Sequence, residues 1–387
     1  MIRLLTIVGA RPQIIKAAAI SRVVRTQFAG QIEEKILHTG QHYDDNMSEV
    51  FFRELGIPSP DYNLHVGSGS HAEQVGKMLR GIEAVLGERS MANGERKPFD
   101  GVIVYGDTNS TIAGALAACK MGVPVYHVEA GLRSYNRTMP EEYNRVVCDR
   151  LSTLLFAPTI TALNNLERER LGGNGLMGER VVLSGDVMYD NALYFAPKAE
   201  EKSDIIERLG LKKKQFVLAT IHRPANTDNA ENLRSILRAL GDIAASGVDV
   251  VFPCHPRTRE RLRALINDGM SATGSLNDVE SPHFHLIEPV GFYDIIRLEK
   301  EARVVMTDSG GVQKEAFFYG TPCVILRPET EWVEIVDAGA GILADAGYER
   351  IMKAYADLSG REVKFPPLFG DAHASERILS EIIDFFN

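Results

Sequence analysis

Apolar residues along this chain come in short unbroken runs, and each run is followed by a stretch with helical spacing. Strands buried on both faces read this way, and helical crossovers between them predict parallel sheets. In the first half the predicted strands are LLTIV, KILHT, GVIVY, VPVYHV, LLFAP and RVVLS. In the second half they are FVLATI, DVVFP, FHLIEPV, RVVMT and PCVIL. Between the halves YFAPKAEEKSD, about residues 194–204, is polar, holds Pro197 and reads as a linker. A length of 387 residues exceeds one core. The pattern therefore predicts an α/β protein of two doubly wound Rossmann-like domains facing a cleft, over residues 1–195 and 204–371. The last stretch, 372–387, carries apolar residues at helical spacing in ASERILSEIIDFF and needs a partner surface, so it is expected to cross back to the first domain.

Composition narrows the function classes. At 44% hydrophobic and 25% charged the chain is an ordinary globular one. A net charge of −9 speaks against a nucleic-acid or anionic-membrane partner, so any anion site must be local. The N-terminal apolar run is too short for a signal peptide, and no run is long enough to span a membrane. Cys119, Cys148, Cys254 and Cys323 lie far apart in apolar sequence and are expected to be reduced and buried, as in the cytoplasm. PCHP and HFH have no partners at zinc spacing, and no metal is expected.

Polar groups cluster at the strand ends, where this architecture binds ligands. In MTDSGGVQKEAFFYG, residues 306–320, Ser309, Gly310 and Gly311 lead from a strand directly into a helix carrying Glu315. Bare backbone at a helix N-terminus admits an anion, typically phosphate. A reciprocal capping box is not expected, since Val312 stands where its acid would be. GARPQIIK places Arg11 and Lys16 after the first strand, either towards an anion or, for Lys16, in solvent. Asp107 in GDTNST, Glu129 in HVEAGLRS, and Glu141, Glu142 and Arg145 in PEEYNR follow strands of the first half. Acids there are also common as helix caps, yet three such segments at one sheet edge point to proton transfer. From the second half, His222 and Arg223, and His255 and Arg257, suit a diphosphate. GSGSHA, residues 67–72, matches a dinucleotide fingerprint but follows a poor central strand, and P-loop and esterase motifs are missing.

The runs GARPQIIK, GDTNST, HVEAGLRS, PEEYNR, ATIHR and TDSGGVQKEA, in this order over nearly the whole chain, resemble the non-hydrolysing UDP-N-acetylglucosamine 2-epimerase family. The resemblance implies a glycosyltransferase-B-like fold, a cytoplasmic homodimer, no cofactor, and UDP-sugar and UDP as ligands. It implies that Asp107, Glu129 and Glu141 are catalytic, with Lys16 and His222 beside them. UDP would be held by Arg11, Ser309, Gly310, Gly311, Glu315, His222 and Arg145. A C2 proton beside an acetamido group is not acidic, so such an enzyme expels UDP while a carboxylate takes the proton, giving a glycal. Proton return on the other face and re-addition of UDP complete the inversion. A glycosyltransferase, a hydrolysing epimerase and an inert nucleotide-sugar-binding regulator are the rival expectations.

The chain also departs from better-known members. Ala225 stands at the acidic position of their H-R-x-E-N pattern, and Tyr43 in TGQHYDDN replaces an Arg. In the family those segments contribute to a regulatory nucleotide-sugar site, so turnover without an activator is expected. HTGQHYDDNMSEVFF, GDVMYD, HPRTR and TEWVE resemble the branch acting on UDP-2,3-diacetamido-2,3-dideoxyglucuronic acid in O-antigen synthesis. Its sugar carboxylate would require a cationic partner, for which Arg133, Arg137 and Lys314 are candidates.

Overall fold

The computed structural model describes residues 1–40, 52, 54–88, 98–172, 178–254, 258–262 and 281–387. It divides into two compact units: Met1–Asn191 with Pro367–Asn387, and Ala192–Pro366. The first holds a parallel sheet of β1 (Ile2–Val8), β2 (Ile32–His38), β3 (Tyr62–Asn63), β4 (Gly101–Tyr105), β5 (Val125–Val128), β6 (Leu154–Ala157) and β7 (Arg180–Leu183), in the order β3-β2-β1-β4-β5-β6-β7. The second holds β8 (Phe216–Thr220), β9 (Asp249–Pro253), β10 (Phe284–Ile287), β11 (Val304–Thr307), β12 (Cys323–Ile325) and β13 (Gly341–Leu343), in the order β10-β9-β8-β11-β12-β13. Both are doubly wound. The order reverses beside β1 and β4 in one sheet and beside β8 and β11 in the other, and such a switch point opens a crevice at the carboxyl ends of the strands.

The unbroken apolar runs follow from burial on both faces. Val217 and Ala219 of β8 pack with helices Ala230–Ala245 and Tyr348–Gly360, while Phe216 and Leu218 pack on the opposite face with Leu298 and Ala316. In the first unit Leu5 and Ile7 of β1 meet Met78 and Ile82 of helix His71–Gly87 and Ala113 and Ala117 of helix Asn109–Lys120. GSGSHA makes a helix start there, with Ser70 and Glu73 forming a reciprocal capping box.

Two local expectations need correction. Residues 194–204 are helical up to Lys202, in the helix Val187–Lys202, because Phe195, Ala196 and Ala199 are buried and outweigh Pro197. The division between the two units falls inside this helix, at Asn191/Ala192. Cys119 is exposed at the end of its helix, whereas Cys148, Cys254 and Cys323 are buried. The C-terminal helix Ala374–Phe386 packs on helix Arg11–Thr26, burying Ile378, Leu379 and Ile382.

Candidate functional site

At the first unit's switch point the chain leaves β1 through Gly9 and Ala10 and leaves β4 through Gly106, whose φ is 61°. The buried Gln13 side chain ties the two exits together. Its Oε1 accepts from Gly9 N at 2.9 Å and Ala10 N at 3.1 Å, and its Nε2 donates to Tyr105 O at 2.9 Å. Helix Arg11–Thr26 then carries Lys16 inwards, onto the Glu129 carboxylate at the end of β5. Both partners of this ion pair are buried. Glu129 itself has φ 70°, a left-handed conformation rare outside glycine. A β-carbon at Gly106 would lie 3.0 Å from Lys16 Nζ and 3.1 Å from Glu129 Oε2, so a side chain there would crowd this ion pair at a φ that favours glycine.

Asp107 follows Gly106 and is partly open. Arg145 of helix Pro140–Leu151 reaches its Oδ2 with Nη2 at 2.6 Å and Nε at 2.9 Å, and Asn144 Nδ2 donates to its carbonyl at 2.8 Å. The two adjacent glutamates of that helix part company. Glu142 is buried, pairs with Arg145 Nη1 at 2.8 Å and accepts the N–H groups of Ser134 at 3.0 Å and Tyr135 at 2.9 Å. Burial opposes its charge, but those backbone donors and Arg145 hold its carboxyl below the usual range. Glu141 is half-buried and makes no hydrogen bond or ion pair among the described residues. Thus Lys16 with Glu129 and Arg145 with Asp107 flank Gly106 beyond the ends of β4 and β5, while Glu141 lies in the first turn of helix Pro140–Leu151 and Arg11 is exposed at the start of helix Arg11–Thr26.

Beneath them lies a buried cluster. His127 of β5 places Nδ1 at 2.7 Å from Asp149 Oδ1 and Nε2 at 2.8 Å from Gly106 O. Asp149 Oδ2 also accepts from Arg133 at 2.7 Å and from Gly131 N at 3.2 Å. Arg133 is further held by both oxygens of Glu169, at 2.7 and 2.8 Å, and is buried, which removes it as a partner for a sugar carboxylate. His127 and Asp149 were not singled out from sequence. A histidine inside the buried run VYHV was the available signal, because a buried polar ring must find partners.

In the second unit, the buried Asp308 after β11 accepts from His222 N at 3.1 Å, Arg223 N at 3.1 Å and Asn226 Nδ2 at 3.1 Å. His222 is exposed, with Nδ1 at 3.3 Å from the same carboxylate. Ser309 does cap helix Gly310–Phe318, its Oγ accepting Val312 N at 3.4 Å, although no reciprocal acid is present. The N–H groups of Gly310 and Gly311 stay outside that bond. Glu331 and Trp332 wall Gly310, and Glu315 lies half-buried one turn on. Lys314 is buried with its ammonium 4.1 Å from the Trp332 ring centre, while Arg137 is exposed. His255, Arg257 and Tyr43 lie outside the described residues. His283 and His285 each hydrogen-bond Asp249 at 3.0 Å. Among the described residues no three metal-ligating side chains are grouped, and no helix is long and apolar enough to cross a membrane.

A family model described as UDP-N-acetylglucosamine 2-epimerase matches residues 25–383. A UDP-2,3-diacetamido-2,3-dideoxy-D-glucuronate 2-epimerase of Pseudomonas aeruginosa is 45% identical over 97% of this chain and 98% of its own length. A UDP-N-acetylglucosamine 2-epimerase homolog of Methanococcus maripaludis is also 45% identical, over 97% and 98%. The crystal structure of the Methanocaldococcus jannaschii UDP-GlcNAc 2-epimerase in complex with UDP-GlcNAc and UDP matches with a TM-score of 0.82 at 39% identity, covering 98% of this chain and 99% of that one.

Proposed function

Because this chain belongs to the UDP-N-acetylglucosamine 2-epimerase family, with its glycosyltransferase-B-like pair of Rossmann-like units, we propose that it inverts C2 of a UDP-2-acetamido sugar without hydrolysis. The observation that carries this reading is the coexistence of two differently equipped switch points, one rich in carboxylates and one built around bare helix N–H groups. The second unit binds UDP: Gly310 and Gly311 N–H receive the diphosphate, aided by the helix N-terminus, His222 and Arg11, and Glu315 accepts the ribose hydroxyls. The first unit supplies proton transfer. Asp107, Glu129 and Glu141 take the C2 proton and return it on the opposite face, and Lys16 compensates charge at Glu129. Arg145 acts here through Asp107. UDP departure gives the glycal, and UDP re-adds after reprotonation.

With Arg133 consumed by Asp149 and Glu169, a diacetamido-uronate substrate draws its cationic partner from Lys314 or Arg137. The same reading makes the protein a cytoplasmic homodimer that needs no nucleotide-sugar activator. Parallel initial rates with UDP-GlcNAc and UDP-2,3-diacetamido-2,3-dideoxyglucuronate, followed by NMR in D2O, test it. The expected product is the C2 epimer carrying deuterium at C2. Release of free sugar, or epimerisation without deuterium uptake, rejects the proposal, and a sigmoidal response to UDP-GlcNAc rejects activator independence.

A further inference from the structure

Glu129 and Asp107 share a support that no proton-transfer step uses. Asp149 accepts from His127, two residues before Glu129, and from Gly131 N, two residues after it. The other ring nitrogen of His127 meets the carbonyl of Gly106, whose peptide leads into Asp107. One buried pair thus grips both sides of the strained Glu129 and the residue before Asp107. It joins β4, β5 and helix Pro140–Leu151 at one point.

The geometry also sets the charge. A carbonyl oxygen only accepts, and the Asp149 carboxylate, already accepting from Gly131 N and Arg133, accepts as well. The carbonyl thus fixes a proton on Nε2, and with Asp149 ionised beside the Arg133 guanidinium the second nitrogen carries one as well. We propose that His127, as a buried imidazolium, and Asp149 form a positioning pair that holds Asp107 and Glu129 in register for proton transfer. The facing groups support this. Burial opposes charge on the ring, but Cys148 and Asp149 outweigh it and hold the histidine pKa well above its ordinary value. Asp149, with burial against it and His127 and Arg133 favouring its ionised form, is held below the carboxylate range. Glu169 on Arg133 completes the alternation of charge.

This role rests on the proposed epimerase activity, and the test separates the two. In 15N-histidine NMR of the full chain, assigned with His127→Gln, both ring nitrogens of His127 are expected to be protonated at neutral pH and above the usual histidine range. A neutral ring at neutral pH overturns the proposal. In kinetics, His127→Gln and Asp149→Asn are expected to lower kcat for C2 deuterium wash-in about 100-fold, with KM within about threefold. The double variant should lose little more than the worse single one. Folded variants with wild-type kcat overturn the positioning role. If His127→Gln does not fold, Asp149→Asn, which keeps its side-chain shape, carries the kinetic arm. A wild type inactive on both UDP-acetamido sugars overturns the epimerase reading and the positioning role with it, whereas active wild type with unaffected variants overturns only the latter.

Discussion

At Glu129 the backbone sits at φ 70°, a conformation costing a residue with a β-carbon roughly 1–2 kcal/mol, and its carboxylate is buried against Lys16. A residue held so firmly is suited to act on a fixed proton. Asp107→Asn and Glu129→Gln are expected to cut C2 deuterium exchange at least about 100-fold while leaving UDP affinity, measured by calorimetry, nearly unchanged. The neighbouring glutamates separate structure from chemistry. Glu142→Gln, which strips the buried Arg145 of one carboxylate, should cost about 1–3 kcal/mol of stability in thermal unfolding. Glu141→Gln, at a side chain without partners among the described residues, should leave the melting temperature within about 1 °C and lower kcat. The pH sign follows from the depressed carboxyl of Glu142. Its stabilisation is present above its ordinary value of 4.5 and is lost as pH falls through the lower folded value, so the gap between wild type and Glu142→Gln should close on acidification.

Among the elements, the turn from β11 into helix Gly310–Phe318 is capped by Ser309 through Val312 N, a bond that leaves the Gly310 and Gly311 N–H groups out, so the cap does not exclude the proposed anion site. A methyl group at Gly310 runs into Glu331, which is tied to Arg327 at 2.8 Å, whereas at Gly311 its nearest neighbour is Ser309 Oγ at 3.9 Å. Gly310→Ala should destabilise by about 1–3 kcal/mol and Gly311→Ala by less than about 0.5 kcal/mol, yet both should weaken UDP in calorimetry. Glu315→Ala is expected to weaken UDP about tenfold or more, and unchanged affinity in the folded variant rejects its ribose role. Elements absent from the sequence pattern are edge strands. β3 has two residues and β13 three, too few for a periodic signal. Helix Val187–Lys202 is masked in the sequence by Pro197 and its charged end, and the burial of Phe195, Ala196 and Ala199, with Phe195 against Phe292 at 4.9 Å between ring centres, favours continuing it.

On the scale of the whole molecule, the chain leaves the first unit at 191/192 and re-enters it at 366/367, so the first unit is completed by residues 367–387. Asp190 receives them: its carboxylate accepts Ala374 N at 3.1 Å and Ser375 N at 2.7 Å, and Arg377 donates to Ser184 O at 2.7 Å. Truncation after Pro366 should strip about 2 kcal/mol for each of Ile378, Leu379 and Ile382, lowering the melting of the first unit in calorimetry before the second. What the sequence determined by itself was local: eleven strands in short apolar runs, the amphipathic last helix, and acids, glycines and cations at strand ends, each set by periodicity or by short-range turn chemistry. The tertiary structure decided the pairings. That Arg133 serves Asp149, that Glu142 rather than Glu141 clamps Arg145, and that His127 carries both ring protons depend on partners brought together across β4, β5 and helix Pro140–Leu151. Periodicity says which face of an element is buried; only the folded arrangement says which buried charges meet there, and burial makes those meetings decisive by removing water as the alternative partner.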